Sequence, residues 1–128
     1  MRHKKKRVLE LSTGVQKKQN VVRNLLTSLI THGEMITTGK RAKVVKAEAD
    51  KFFARLVRIY SKFEGVAAKR EADRFVKSVL YTEVAGKRAV SEILPKYLDE
   101  SRTTGFVSNY KLGFRAGDAA EKVLVKLV

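Results

Sequence analysis

KRAKVVKAEADKFFARLVRIYSKF, residues 40–63, is the longest helical pattern in the chain, and the fold is read outward from it. Its apolar positions Val45, Ala49, Phe52, Leu56, Ile59 and Phe63 alternate spacings of four and three, the period that stacks side chains on one face of an α-helix. Phe53, Val57 and Tyr60 widen that face. At about 100° per residue, Lys40, Lys51, Arg55, Arg58 and Lys62 fall in a separate stripe, displaced by more than a quarter turn. One side of this helix packs and another carries charge.

Towards the N-terminus, the short β-branched run Met35 to Thr38 lies between Gly33 and Gly39 and reads as a strand or extended link. Before it, Val22, Leu25, Leu26, Leu29 and Ile30 recur on one helical face, while Lys17, Lys18, Arg23, Asn24 and Thr27 point elsewhere. Thr13-Gly14-Val15-Gln16 has the spacing of a capping box, and Gly33 supplies the left-handed residue that ends the helix. Residues 1–11 form a basic arm whose like charges oppose collapse, expected to be extended or disordered until it meets its partner.

Towards the C-terminus, Gly65 interrupts the pattern. A third helix, about 66–81, buries Ala68, Ala72, Phe75, Val76, Val79 and Leu80. A fourth runs to Leu94 on Ala89, Val90, Ile93 and Leu94, and Pro95, the only proline, ends it or starts a short turn carrying Tyr97 and Leu98. Phe106 to Leu112 alternates polar and apolar side chains, Gly113, Gly117 and Asp118 supply a turn, and Val123, Val125 and Leu127 share one face of a last strand. The expectation is an α+β domain over 12–128: about four helices packed on a small mixed sheet with a C-terminal β-hairpin, preceded by the basic arm at 1–11.

A hydrophobic content of 44% over 128 residues is enough for one packed core, so most of the chain should fold. The charge is abnormal: 28 Lys and Arg against 13 Asp and Glu leave a net +15. Solubility is served by a net charge of about 2 to 8 in a small domain. The excess points to a polyanion whose counterions are released as Lys and Arg neutralise its phosphates, and nucleic acid is the leading candidate.

Catalytic chemistry is poorly supplied. With no cysteine there is no disulfide framework, thiolate metal site or thiol nucleophile. His3 lies in the basic arm and His32 at a helix end, neither beside a partner that suggests a triad, and no metal or cofactor site is read. Gly39-Lys40 superficially resembles a phosphate-binding loop, but Gly33 lies one residue too far upstream and Arg41 replaces the hydroxyl residue that would hold magnesium. The helix start at Lys40 could still receive a backbone phosphate. Phe52, Phe53, Phe63 and Phe75 are assigned to the core, whereas Phe106, Tyr110 and Phe114, among Asn109, Lys111 and Arg115, could pack or stack an unpaired base.

Membrane and DNA partners fare worse. Val8-Leu9-Glu10-Leu11 is broken by a charge where a signal peptide would continue apolar, no stretch is apolar enough for a span, and each apolar face is needed for the core. No zinc finger, basic zipper or obvious helix-turn-helix appears. RNA, bound through phosphates, shape and 2′-hydroxyls, remains.

Several segments, in order, also resemble one family. They are Met1-Arg2-His3-Lys4-Lys5, Arg23-Asn24-Leu25 to Ser28-Leu29, His32, Ile36-Thr37-Thr38, Lys40-Arg41-Ala42-Lys43, and the run from Lys111-Leu112-Gly113-Phe114-Arg115 through Ala116-Gly117-Asp118-Ala119-Ala120. This set resembles the seventeenth protein of the bacterial large ribosomal subunit. The chain departs from that pattern at Leu11-Ser12-Thr13, at Lys17-Lys18, and at Gly105-Phe106-Val107-Ser108, where a customary arginine is missing.

The resemblance implies helices on a small sheet, no catalysis, and binding to large-subunit ribosomal RNA near the outer end of the peptide exit tunnel. It also implies RNA contacts from Arg2, His3, Lys4, Lys5, Lys6 and Arg7 in the arm, from Lys17, Lys18, Arg23 and Asn24, from Thr37, Thr38, Lys40, Arg41 and Lys43, and from Lys111 and Arg115. The stripe of Lys51, Arg55, Arg58 and Lys62 is added from the helix pattern alone. The expected function is that of a structural constituent of the cytoplasmic ribosome, with ribosomal RNA and neighbouring large-subunit proteins as partners and neither a membrane nor a small-molecule substrate. A free nucleic-acid-binding or nucleoid-associated protein is the alternative, and a small enzyme acting on RNA a distant third.

Overall fold

The computed structural model describes Leu11 and residues 18–128. The rest of the arm and the capping box at 13–16 lie outside the described residues, while Leu11 is itself buried.

Helix α1, Lys18–His32, stops at Gly33, whose φ of +81° admits the left-handed conformation and whose N–H closes on the Leu29 carbonyl at 2.7 Å. Strand β1, Glu34–Thr38, follows at once and runs straight into α2, Gly39–Lys62, the long helix on which the other elements converge. Its buried face follows the prediction as far as Leu56, through Val45, Ala49, Phe52, Phe53 and Leu56, joined by Ala42 and Val44, whereas the predicted Ile59 and Phe63 near its C-terminal end are only half-buried.

Helix α3, Gly65–Val79, returns across α2, burying Ala68, Ala72 and Val76. Helix α4, Glu83–Arg88, is capped by Thr82, whose hydroxyl accepts from the Ala85 N–H at 3.3 Å. Here α3 and α4 meet closely: a methyl group on Gly86 would lie 2.8 Å from Val76 Cγ1, a buried β-branched side chain with little freedom to move.

The fourth helical segment does not end at Pro95. Its path continues through a π-helical turn, Ala89–Ile93, into α5, Leu94–Asp99, with the Leu94 N–H reaching the Ala89 carbonyl five residues back. Proline has no N–H to donate and its ring collides with the carbonyl four residues earlier, so a local widening lets the helical path pass through it. The consequence is positional: Tyr97 is delivered, fully buried, to the centre of the molecule.

Strands β2, Val107–Phe114, and β3, Glu121–Leu127, form the expected hairpin. The sheet order is β1-β3-β2 and both pairings are antiparallel, so the sheet is not mixed. The outer strands do run in the same direction, but β3 separates them, and no parallel pair forms. The alternation in β2 also falls differently from its apolar letters: Val107 is buried while Tyr110 is 53% exposed. Phe106 is buried by the turn before the strand, where Gly105 has φ +70°, and not by sharing a face with Tyr110.

The centre of the core is aromatic. Phe53 lies 5.2 Å from Tyr97 and 5.8 Å from Phe106 between ring centroids, and Tyr97 lies 5.0 Å from Phe106. The Tyr97 hydroxyl donates to the Phe106 carbonyl at 3.2 Å, and the Phe106 N–H donates to Asp50 Oδ1 at 3.0 Å, so the entry to β2 is tied to both α2 and α5. Burial pushes the Tyr97 phenol up to about 12.

Candidate nucleic-acid interface

The first group of cations forms where three distant segments meet. β1 pairs with β3 so that Thr37 lies opposite Val123 and Thr38 opposite Lys122. Thr38 then passes directly into α2, placing Lys40, Arg41 and Lys43, all exposed, in its first turns. The hairpin brings Arg115 to the same place, and Thr37, Thr38, Arg41, Arg115, Glu121 and Lys122 line one shallow depression of about 360 Å³.

Two carboxylates limit what this end can accept. Gly39 lacks a side chain where Glu121 approaches: a Cβ there would lie 2.9 Å from Glu121 Oε2. A carboxylate therefore already rests against the start of α2, where the helix dipole favours negative charge, and Lys111 Nζ is 3.5 Å from the other oxygen of Glu121. A phosphate would approach Arg41 and Lys122, which have no carboxylate within salt-bridge distance among the described residues.

Arg115 has a different task. Its Nε donates to Asp118 Oδ1 at 2.8 Å, a second guanidinium nitrogen donates to the other carboxylate oxygen, and Asp118 also accepts from the Ala120 N–H at 3.2 Å. Backbone bonds from Arg115 N–H to Ala120 O, 2.8 Å, and from Ala119 N–H to Arg115 O, 2.9 Å, close the turn around the left-handed Ala119. The Gly-Phe-Arg-Ala-Gly-Asp segment is thus a self-braced hairpin end in which the arginine is partly neutralised before any ligand arrives.

That bracing holds the Asp118 carboxyl well below the usual carboxylate range, the Arg115 hydrogen bond being the main cause. A depressed folded-state value means the contribution is present above about pH 4, the unfolded carboxylate value, and is lost as pH falls through the folded value. Carbon-detected NMR should find Asp118 still ionised at pH 3. In Arg115→Gln its midpoint should return towards about 3.9, and an unchanged midpoint would remove Arg115 as the cause.

The second group follows α2. Lys51, Arg55, Arg58 and Lys62 are all exposed, as their spacing predicts. Their surroundings differ: Lys51 pairs with Glu48 at 3.3 Å, and the Arg55 guanidinium lies 4.4 Å from the centroid of Phe75 on α3. At a helical rise of about 1.5 Å per residue, Arg41 and Lys62 stand roughly 30 Å apart, so the two groups occupy opposite ends of α2.

On α1, Asn24 is exposed, but Arg23 is engaged internally. Its Nε donates to the Val79 carbonyl at 2.7 Å, at the end of α3, and its guanidinium lies 4.4 Å from the Tyr81 ring centroid. It ties α1 to α3. Arg2, His3, Lys4, Lys5, Lys6, Arg7 and Lys17 lie outside the described residues, as does the side chain of Lys18. His32 is exposed at the end of α1. Of the three uncertain aromatics, Phe106 belongs to the core, whereas Tyr110 and Phe114, 53% and 75% exposed, do not.

Sequence reasoning missed Lys122 and Arg74. Lys122 follows Glu121 in a charged couplet that looks like solvated surface, and only the register that sets it opposite Thr38 brings it beside Arg41. Arg74, on α3, faces the Arg55–Lys62 end of α2 through the packing of two helices. Neither has a local signal.

Fold and surface together define a class: a small, strongly basic α+β protein with cations gathered on outward faces and, among the described residues, no metal-binding cluster. Residues 21–128 match the model of the family described as Ribosomal protein L17. Large ribosomal subunit protein bL17 of Clostridium botulinum is 34% identical over 119 residues, covering 93% of this chain and 96% of that protein. The protein of the same name from Thermotoga neapolitana is 33% identical over 128 residues, covering 100% of this chain and 95% of that protein. The chain belongs to the ribosomal protein L17 family, whose members are structural and not enzymatic.

Proposed function

We propose that the chain is a structural constituent of the large subunit of the cytoplasmic ribosome. In this reading it binds large-subunit ribosomal RNA through phosphate contacts near the outer end of the peptide exit tunnel, beside other large-subunit proteins. The observation that supports it best is the convergence of Thr37, Thr38, Arg41 and Lys122 from β1, α2 and β3 at one end of the molecule. The sheet register fixes the backbone positions of cations from separate segments, so one phosphate-bearing surface meets them together.

The individual contacts follow the same logic. Lys40, Lys43 and Lys111 extend the hairpin end, and Lys51, Arg55, Arg58 and Lys62 offer a second surface along α2. Asn24 adds a contact from α1, and Lys17, Lys18 and the arm from Arg2 to Arg7 supply further cations to the same RNA. Arg23 acts mainly by holding α1 to α3, and Arg115 by bracing the hairpin turn.

Sedimentation of cell lysate at moderate salt tests the assignment. The protein should co-migrate with large subunits and be released by ribonuclease but not by deoxyribonuclease. A free or deoxyribonuclease-sensitive pool would support the nucleoid-associated alternative instead.

A further inference from the structure

The groove between the C-terminal half of α2 and the outer face of α3 combines two kinds of surface. Ile59 and Phe63 from α2 and its end, with Phe75 from α3, supply a partly buried apolar floor. Arg55, Arg58, Lys62 and Arg74 stand around it, against a single carboxylate, Glu71, which is 3.2 Å from Arg74. The space between them is about 660 Å³.

We infer that this groove holds an unpaired nucleotide of RNA, its base against Phe63 and the Arg55 guanidinium that covers Phe75, and its flanking phosphates on Arg58, Lys62 and Arg74. The inference rests on the RNA-binding reading above and names the form of RNA this end of α2 accepts.

Three observations carry it. The volume lies in the range of small-ligand sites, roughly 300–1,000 Å³, and holds one nucleotide where a duplex could only lie across the rim. The cations already rest on the aromatics: Arg55 lies 4.4 Å from the Phe75 centroid and Lys62 Nζ 5.7 Å from that of Phe63. Phe52 is stacked on Phe75 at 5.4 Å between centroids, so the surface offered to a base is the Arg55 guanidinium plane that covers Phe75, beside the Phe63 ring. Finally, four cations against one carboxylate give the groove the sign of a phosphate-binding site, whereas a duplex backbone would need no apolar floor.

The test uses the full chain with a single-stranded ribo-oligonucleotide carrying 2-aminopurine, and a duplex of equal length. The single strand should quench on binding. Arg58→Glu with Arg74→Glu, both exposed positions, should weaken it about tenfold or more, with thermal melting unchanged. Phe63→Leu, which keeps an apolar side chain, should weaken it roughly fivefold or more through lost stacking.

Quenching and affinity unchanged in all these variants would overturn the groove assignment, and binding of the duplex would then still support the broader RNA reading. Displacement by poly-glutamate as effective as by unlabelled RNA of equal charge would assign the groove to an acidic protein segment instead. If the native chain bound neither RNA form, both readings would fall.

Discussion

Replacing Phe53 with alanine should destabilise the protein by about 3–5 kcal/mol, the usual cost of a deleted core aromatic. Phe53 is fully buried and packs 5.1 Å from Phe52, 5.2 Å from Tyr97 and 5.8 Å from Phe106, so it joins α2, α5 and the entry to β2 in a single contact set. A cavity there cannot collapse easily, because its walls come from three elements pinned by other bonds. Small domains are stable by only about 5–15 kcal/mol, so thermal unfolding should fall by roughly 10 °C or more. Phe114→Ala, at a site 75% exposed, should change stability by less than about 0.5 kcal/mol. Comparable losses in the two variants would show that the central aromatic cluster does not carry the packing ascribed to it.

Affinity for ribosomal RNA should fall by about a thousandfold or more between 50 and 200 mM salt, the behaviour of a protein that neutralises some six to ten phosphates. The cause is counterion release, so the dependence is a count of contacts and not a general weakness. Arg41→Ala and Lys122→Ala should each lower the log–log slope by roughly one. Arg23→Ala should act differently, lowering thermal stability with little change in slope, because its guanidinium is spent on the Val79 carbonyl and the Tyr81 ring. A flat salt response would contradict phosphate-led binding.

Which parts were legible depends on how far the determining contacts lie along the chain. The faces of α1 and α2 follow from a period of 3.6, so Leu26, Leu29, Val45, Phe52 and Leu56 could be placed in the core from sequence, and all are buried. The β1–β3 pairing joins Glu34 to Lys126 and Thr38 to Lys122, and nothing in either strand announces the other. Pro95 left two paths open because the π turn is a tertiary solution, stabilised by what Tyr97 reaches. Arg23 and Arg115 carry the same formal charge as Arg41, and their internal partners are visible only once α3 and the hairpin turn are in place.

The sheet order also has a consequence for the chain before it meets any partner. With β3 in the middle, β1 and β2 are both edge strands, each with a row of backbone donors and acceptors unmatched by another strand among the described residues. Such rows are templates for strand addition and for self-association. β2 carries a register shift between Lys111 and Gly113, where Gly113 has φ +109°, so its edge is irregular over the stretch that would otherwise be longest. β1 is only five residues long. A short edge and a kinked one offer little for a second copy to zip onto, which leaves the exposed Ile36 and Tyr110 on the outer face without a continuous seam for growth into fibrils.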